Sequence, residues 1–248
     1  MDSAWILCLL AAAAALYASV GHGGASAYLA ILSLAGLAPA AIRPTALVFN
    51  VAVSLVATVL YARGGHFRWS LFWPFTAVSI PMAWMGGLWV LSDPVFKVLL
   101  ACALAWASLR FLLPLSPTAA TSRDGTFPAG PGVLPVLAWG SAMGLLSGML
   151  GVGGGIFLTP LLLLAGWADA RQAAAVSAPF ILVNSLAGLA ARPDALRALP
   201  EAWPWALLLV VAAGWAGSAW GSGIARIRHL RAALGSVLLV ASAKLLLA

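Results

Sequence analysis

The sequence predicts an all-α integral membrane protein, with about 8–10 membrane segments in two homologous halves. Three observations carry that expectation. The chain is 63% hydrophobic and 8% charged, with a mean hydropathy of +1.04, whereas a soluble domain is about 25% charged. Two glycine clusters interrupt apolar stretches, Gly21-His22-Gly23-Gly24 and Gly151-Val152-Gly153-Gly154-Gly155, and they lie 130 residues apart. The same offset then recurs without a gap. Leu32, Leu34, Ala35 and Gly36 face Leu162, Leu164, Ala165 and Gly166; Trp73-Pro74 faces Trp203-Pro204; Gly87 faces Gly217.

A helix needs about 20 residues to cross a ~30 Å hydrocarbon core, and that length sorts the apolar segments. Residues 4–20 come first. Ala11 to Ser19 has the small apolar character of a signal peptide but no basic residues ahead of it, so it reads as a retained segment. Residues 24–37 follow the first glycine break and are too short for an upright span. Residues 45–62, 70–91 and 95–113 are full-length. Residues 114–131, rich in Pro, Ser, Thr and Gly, read as a linker. It separates a first membrane repeat, 1–113, from a second, 132–248. In the second repeat, 133–150 carries Gly140, Gly144 and Gly148 at four-residue spacing, the pattern of a close helix crossing. Gly217 and Gly221 repeat that pattern, and Ala14 and Ala18 hold the matching places in the first half. Residues 155–166 form the second short segment, followed by 173–191, 203–222 and 232–247. The two short segments are half-helices, re-entrant pieces or arms of broken helices, which leaves the crossing count at eight or ten.

Ten crossings would make the halves inverted. Arg63, Arg68, Arg110, Arg123, Arg171, Arg226, Arg228 and Arg231 would then share one face, against Arg43, Lys97, Arg192, Arg197 and Lys244. The richer face would be cytoplasmic, placing a multi-pass protein in the cell inner membrane. Eight crossings would make the halves parallel and split the charges nearly evenly. Trp5, Trp69, Trp89 and Trp203 near segment ends suit an interfacial belt. The net charge of +7 is scattered over short loops without interleaved aromatics, so nucleic acid is excluded as a partner. Arg43 and Arg171 precede the third and eighth segments and read as orientation charges, with attraction of an anion as the alternative.

The chemistry to expect is that of a small-anion site in contact with a lipid bilayer. Backbone that leaves a helix at membrane depth is buried in protein or lines a cavity. A helix starting after the break directs free N–H groups and a positive dipole end there. Candidate substrate-binding residues are therefore Gly21, His22, Gly23 and Gly24 with Gly151, Gly153, Gly154 and Gly155. Thr45 and Asn50 in the third segment, and Ser177 and Asn184 in the eighth, add polar groups. Asparagine both donates and accepts, which suits an oxyanion. His22 is the one ionisable residue inside a break and is a candidate proton carrier, although Val152 holds the matching place. His66 and His229 are flanked by arginine and read as loop residues. No Asp or Glu falls within these apolar segments, so neither a carboxylate relay nor a divalent-cation cage is expected. Cys8 and Cys102 form no metal or disulfide pattern, and no cofactor or metal is expected. A nucleotide loop is excluded, because no Lys-Ser/Thr follows the glycines.

The run Gly148-Met-Leu-Gly151-Val-Gly-Gly-Gly155, with Pro160, Gly166 and Ala175-Val-Ser177, resembles the signature of the TauE/SafE sulfite exporter family. Gly21-His22-Gly-Gly24, Gly36 and Pro44-Thr45 resemble its weaker first copy, in which Ala25 and Ala30 replace the glycine and proline of the second. The resemblance implies a secondary transporter for sulfite, organosulfonates or related small anions, working as an exporter. A permease for a different small anion, an accessory membrane protein without transport, and a membrane enzyme on lipid-linked substrates are the alternatives. The scarcity of buried carboxylates counts against the enzyme. A homodimer is left open.

Overall fold

In the computed structural model, residues 4–89, 91–112, 132–223, 239, 242 and 243 are described. The linker 114–131 and most of 232–247 lie outside them. So do Arg123, Arg226, His229, Arg228, Arg231 and Lys244, and the Arg110 side chain. The described chain is all-helical: α1 Ala4–Ala18, α2 Ala25–Leu34, α3 Pro39–Arg63, α4 Trp69–Leu88, α5 Asp93–Leu112, α6 Val133–Leu150, α7 Gly155–Leu164, α8 Ala170–Ala190 and α9 Trp203–Gly223. A 3₁₀ turn at Pro193–Ala198 joins α8 to α9. Five of these helices are long and apolar enough to cross a membrane: α3, α4, α6, α8 and α9.

Two helices begin earlier than apolar patterning alone suggests, and local capping explains both. Proline in the first turn of α3 costs no hydrogen bond, so that helix starts at Pro39. Asp169 caps α8, accepting from the N–H groups of Arg171 and Gln172 at 2.8 Å each, while Gln172 accepts from the Asp169 N–H. That capping box carries the start of α8 back to Ala170.

Helix directions follow from the contacts. A Cβ added at Gly217 or Gly221 of α9 would run into the backbone of Ala15 and Ser19, and Tyr61 near the end of α3 donates to the Ser19 carbonyl at 2.7 Å. Helices α1, α3 and α9 therefore end on one face. Gly140, Gly144 and Gly148 of α6 meet Phe75, Ser79 and Ala83 of α4 in the same order, and Gly188 of α8 lies against Gly148. Helices α4, α6 and α8 therefore end on the opposite face. α1 and α6, which share a place in the 130-residue register, run in opposite directions.

The apolar packing does not follow the sequence halves. One core gathers Leu10, Tyr17, Leu29, Phe49, Leu100 and Val210, from α1, α2, α3, α5 and α9. The other gathers Leu71, Phe75, Met143, Leu158, Val176 and Phe180, from α4, α6, α7 and α8. Each half thus lends a long helix to the core of the other, and Leu150 and Ile156 bring the end of α6 and the start of α7 into the first core as well.

Close crossing makes the α4–α6 seam sensitive to volume. A Cβ at Gly144 would strike the Ser79 backbone, 2.7 Å from its Cα, whereas one at Gly140 would stand 3.4 Å from its nearest neighbours. Gly144→Val is expected to cost ~1–3 kcal/mol or more of stability and to lower the unfolding temperature in detergent. Gly140→Ala is expected to leave that temperature nearly unchanged.

Candidate functional site

Both glycine clusters end in a left-handed turn. Gly24 (φ 96) immediately precedes α2 and Gly154 (φ 78) immediately precedes α7. Gly21 and Gly151 match at φ 76 and 74, and Gly36 and Gly166 at 76 and 67. Glycine occupies this region without the clash that a Cβ makes with the following carbonyl. The chain between α1 and α2 thereby reverses within six residues, 19–24, and all of the break glycines are buried.

The two breaks meet beside the middle of α3, and Asn50 joins them. Its Oδ1 accepts from the Ala25 N–H, the first of α2, at 3.1 Å, and its Nδ2 donates to Ser185 Oγ of α8 at 2.7 Å. A Cβ on Gly23 or Gly153 would overlap the Asn50 amide itself, so both breaks need glycine to admit this side chain. His22 makes a second link. Its Nδ1 lies 3.0 Å from the Val20 carbonyl and its Nε2 lies 3.1 Å from the Gly155 carbonyl at the start of α7. A neutral ring can donate to one of these oxygens, and a protonated ring to both. The first glycine of each break packs on the opening turns of a long helix of the other half. Gly21 meets Ala174 of α8, and Gly151 meets Arg43 and Leu47 of α3.

Some of the polar residues expected at the site stand elsewhere. Thr45 donates to the Ala41 carbonyl at 2.7 Å, inside its own helix. Ser177 pairs with Thr159 of α7 at 2.7 Å and fastens α7 to α8. Asn184 donates to the Phe180 carbonyl at 2.8 Å, and its buried Oδ1 has no partner. The space enclosed by His22, Gly23, Gly24, Asn50, Val152 and Ile181 has no room for a water molecule. The N–H expected to be free at the start of α2 is held by Asn50 in this closed arrangement.

Sequence reasoning missed the aromatic side of the site. All three tyrosines of the chain surround the first break. Tyr17 Oη accepts from Ser26 at 2.9 Å, and Tyr61 holds Ser19. The buried Tyr28 hydroxyl has no partner, and a Cβ on Gly24 would stand 2.7 Å from it. Their confinement to one half of the sequence was the available signal. Ser185 was visible only as a neighbour of Asn184. No group of three or more His, Cys, Asp or Glu that could hold a metal occurs among the described residues. Cys8 and Cys102 are unpaired and exposed.

A family model described as sulfite exporter TauE/SafE matches residues 6–245. The chain belongs to that family. A Sinorhizobium fredii protein described as "probable membrane transporter protein y4hK" is 35% identical over 230 residues, which are 93% of this chain and 92% of the relative. No solved structure matches the chain. A TauE/SafE chain with five span-length helices is a multi-pass membrane transporter with a small-molecule substrate.

Proposed function

We propose that this TauE/SafE member is a secondary permease for a small sulfur-containing anion, sulfite or an organosulfonate, and exports it across the cell inner membrane. The observation that carries the reading is the position of Asn50, which bridges both glycine breaks at the start of a buried half-helix. An anion arriving there takes over the Ala25 N–H from the Asn50 carbonyl and accepts from its amide instead. The unpartnered Tyr28 hydroxyl, buried against Gly24, supplies a further donor. These groups are neutral, so they replace hydration without trapping the ion in a permanent ion pair.

The opposed directions of α1 and α6 support an inverted repeat, with residues 1–113 and 132–248 as its units. Alternating access then comes from rocking around the breaks. Because α4 and α9 are exchanged between the cores, the rocking bodies are the two packed cores and not the two halves of the sequence. Orientation follows from Arg63, Arg68 and Arg171 on the face where α3 ends, which is assigned to the cytoplasm.

The test is thermal unfolding of the detergent-purified protein with sulfite, sulfate, thiosulfate, sulfoacetate, taurine and acetate. A ligand at about 100 times its Kd stabilises the native state by about 2.7 kcal/mol. A saturable shift with a sulfur anion and none with acetate is expected. A response to acetate alone, or to none of the six, would remove the sulfur-anion reading.

A further inference from the structure

A second cavity, of about 240 Å³, lies away from the breaks on the face where α3 begins and α4, α6 and α8 end. Arg43 and Arg192 line it, and Leu47, Gly148 and Gly188 also form its wall. Among the described residues, no Asp or Glu contributes to the lining. The one ion pair among the described residues, Arg197 with Asp194, is fully at the surface and does not involve either arginine.

The Arg43 guanidinium is held in place. Nη2 donates to the Gly148 carbonyl at 3.0 Å, Nη1 lies 3.5 Å from the Trp89 carbonyl, and Cζ stands 5.8 Å from the Phe96 ring centroid. The Gly148 carbonyl belongs to the last turn of α6, where carbonyls lack partners within the helix. Those bonds occupy two of the five guanidinium N–H groups, so the others can serve a ligand. Two guanidinium groups on one small cavity repel each other unless an anion lies between them. Their planar forks match the paired oxygens of a carboxylate, sulfite or sulfonate better than a spherical halide. The cavity also borders the second break, since a Cβ at Gly151 would stand 3.6 Å from the Arg43 carbonyl and from Leu47 Cγ. Helix ends and the 3₁₀ turn enclose it, which favours an ion from solution over a lipid headgroup.

We propose that the cavity between Arg43 and Arg192 is an oxyanion-binding vestibule, a solution-facing site that holds a small anion beside the second glycine break. The identity of the anion rests on the permease reading; the existence of the site does not.

The test uses the full-length purified protein, with sulfite and sulfoacetate as probes and phosphatidylglycerol as a separate additive. Thermal unfolding is followed against probe concentration for the natural chain, Arg192→Gln and Arg43→Lys. Arg192 is exposed, and its hydrogen bonds at the end of α8 and the start of the 3₁₀ turn are made by its backbone, so its variant keeps the unliganded midpoint. The half-saturating concentration of the responding probe is expected to rise about tenfold or more in each variant, because Arg192→Gln removes a charge and Arg43→Lys removes the planar fork. Equal half-saturation in all three proteins overturns the vestibule, as does a natural chain that responds to neither probe. A response to phosphatidylglycerol alone overturns it in favour of a lipid site. Flux in proteoliposomes separates the two readings. Binding that depends on both arginines without flux removes the permease and keeps the vestibule. Saturable flux with unchanged half-saturation in both variants removes the vestibule and keeps the permease.

Discussion

Gly154→Val is expected to abolish transport while the protein still inserts into the membrane and purifies as a folded species. Gly154 sits at φ 78, a region where a β-branched residue is a severe outlier. A Cβ there would also stand 3.0 Å from the Phe180 ring. Valine therefore forces either the turn or the start of α7 to move, and both belong to the proposed substrate path. The informative control is Gly36→Val. Gly36 has nearly the same dihedral, φ 76, but a Cβ there meets nothing within 4 Å. The left-handed cost of roughly 1–2 kcal/mol is common to both variants, and only Gly154 adds a change in the break. Flux is expected to fall at least ~100-fold in Gly154→Val, as for misplacement of a binding group, and to stay within a few-fold of the natural protein in Gly36→Val. Full flux in Gly154→Val would sink the proposed role of the second break. Equal loss in the two variants would reduce the effect to backbone strain.

The parts of this architecture that were legible in the sequence are those fixed by local chemistry. The glycine clusters were legible because buried left-handed turns exclude most side chains, and they leave Gly24 and Gly154 at matching places. Asn50 was legible because a buried amide needs partners. Its partners were not, since Ser185 and the Ala25 N–H are brought to it by a fold in which α3 and α8 run antiparallel. Thr45 misled for the opposite reason. Its hydroxyl is satisfied by its own helix at Ala41, an outcome that spacing cannot distinguish from a site-facing one. The exchange of α4 and α9 between cores had no sequence signal, because every long helix here is apolar around most of its circumference. The register itself concealed one asymmetry. The residue 130 positions after Asn50 is Phe180, whose ring faces Gly154, whereas the Asn50 amide faces Gly23 and Gly153 and Tyr28 faces Gly24. The two breaks share left-handed glycines at their first and fourth positions, differ at the third, where only Gly153 is left-handed, and are unlike in what caps them.

That asymmetry makes Asn50 the position where charge can be tested with least change of shape. In Asn50→Asp, one carboxylate oxygen still accepts from the Ala25 N–H and the other can accept from the Ser185 hydroxyl, which reverses its role. The added charge lies at the N-terminus of α2, where the helix dipole favours it. These contacts offset part of the cost of burying the charge, and the unfolding midpoint is therefore expected to fall less than in Asn50→Leu. Anion flux is expected to fall by ~100-fold or more, because a like charge at close range costs several kcal/mol in a site of low dielectric. Asn50→Leu separates charge from bonding. It removes both hydrogen bonds, leaves the Ala25 N–H buried without a partner at a cost of about 1–3 kcal/mol, and is expected to lower both midpoint and flux. If Asn50→Asp carries the anion as well as the natural chain does, the substrate passes somewhere other than between the breaks. If it gains flux for a cation, the site was built for the opposite sign. A stable Asn50→Asp protein that binds no sulfur anion, beside an Asn50→Leu protein that is unstable but still shows residual binding, places the anion directly against this amide.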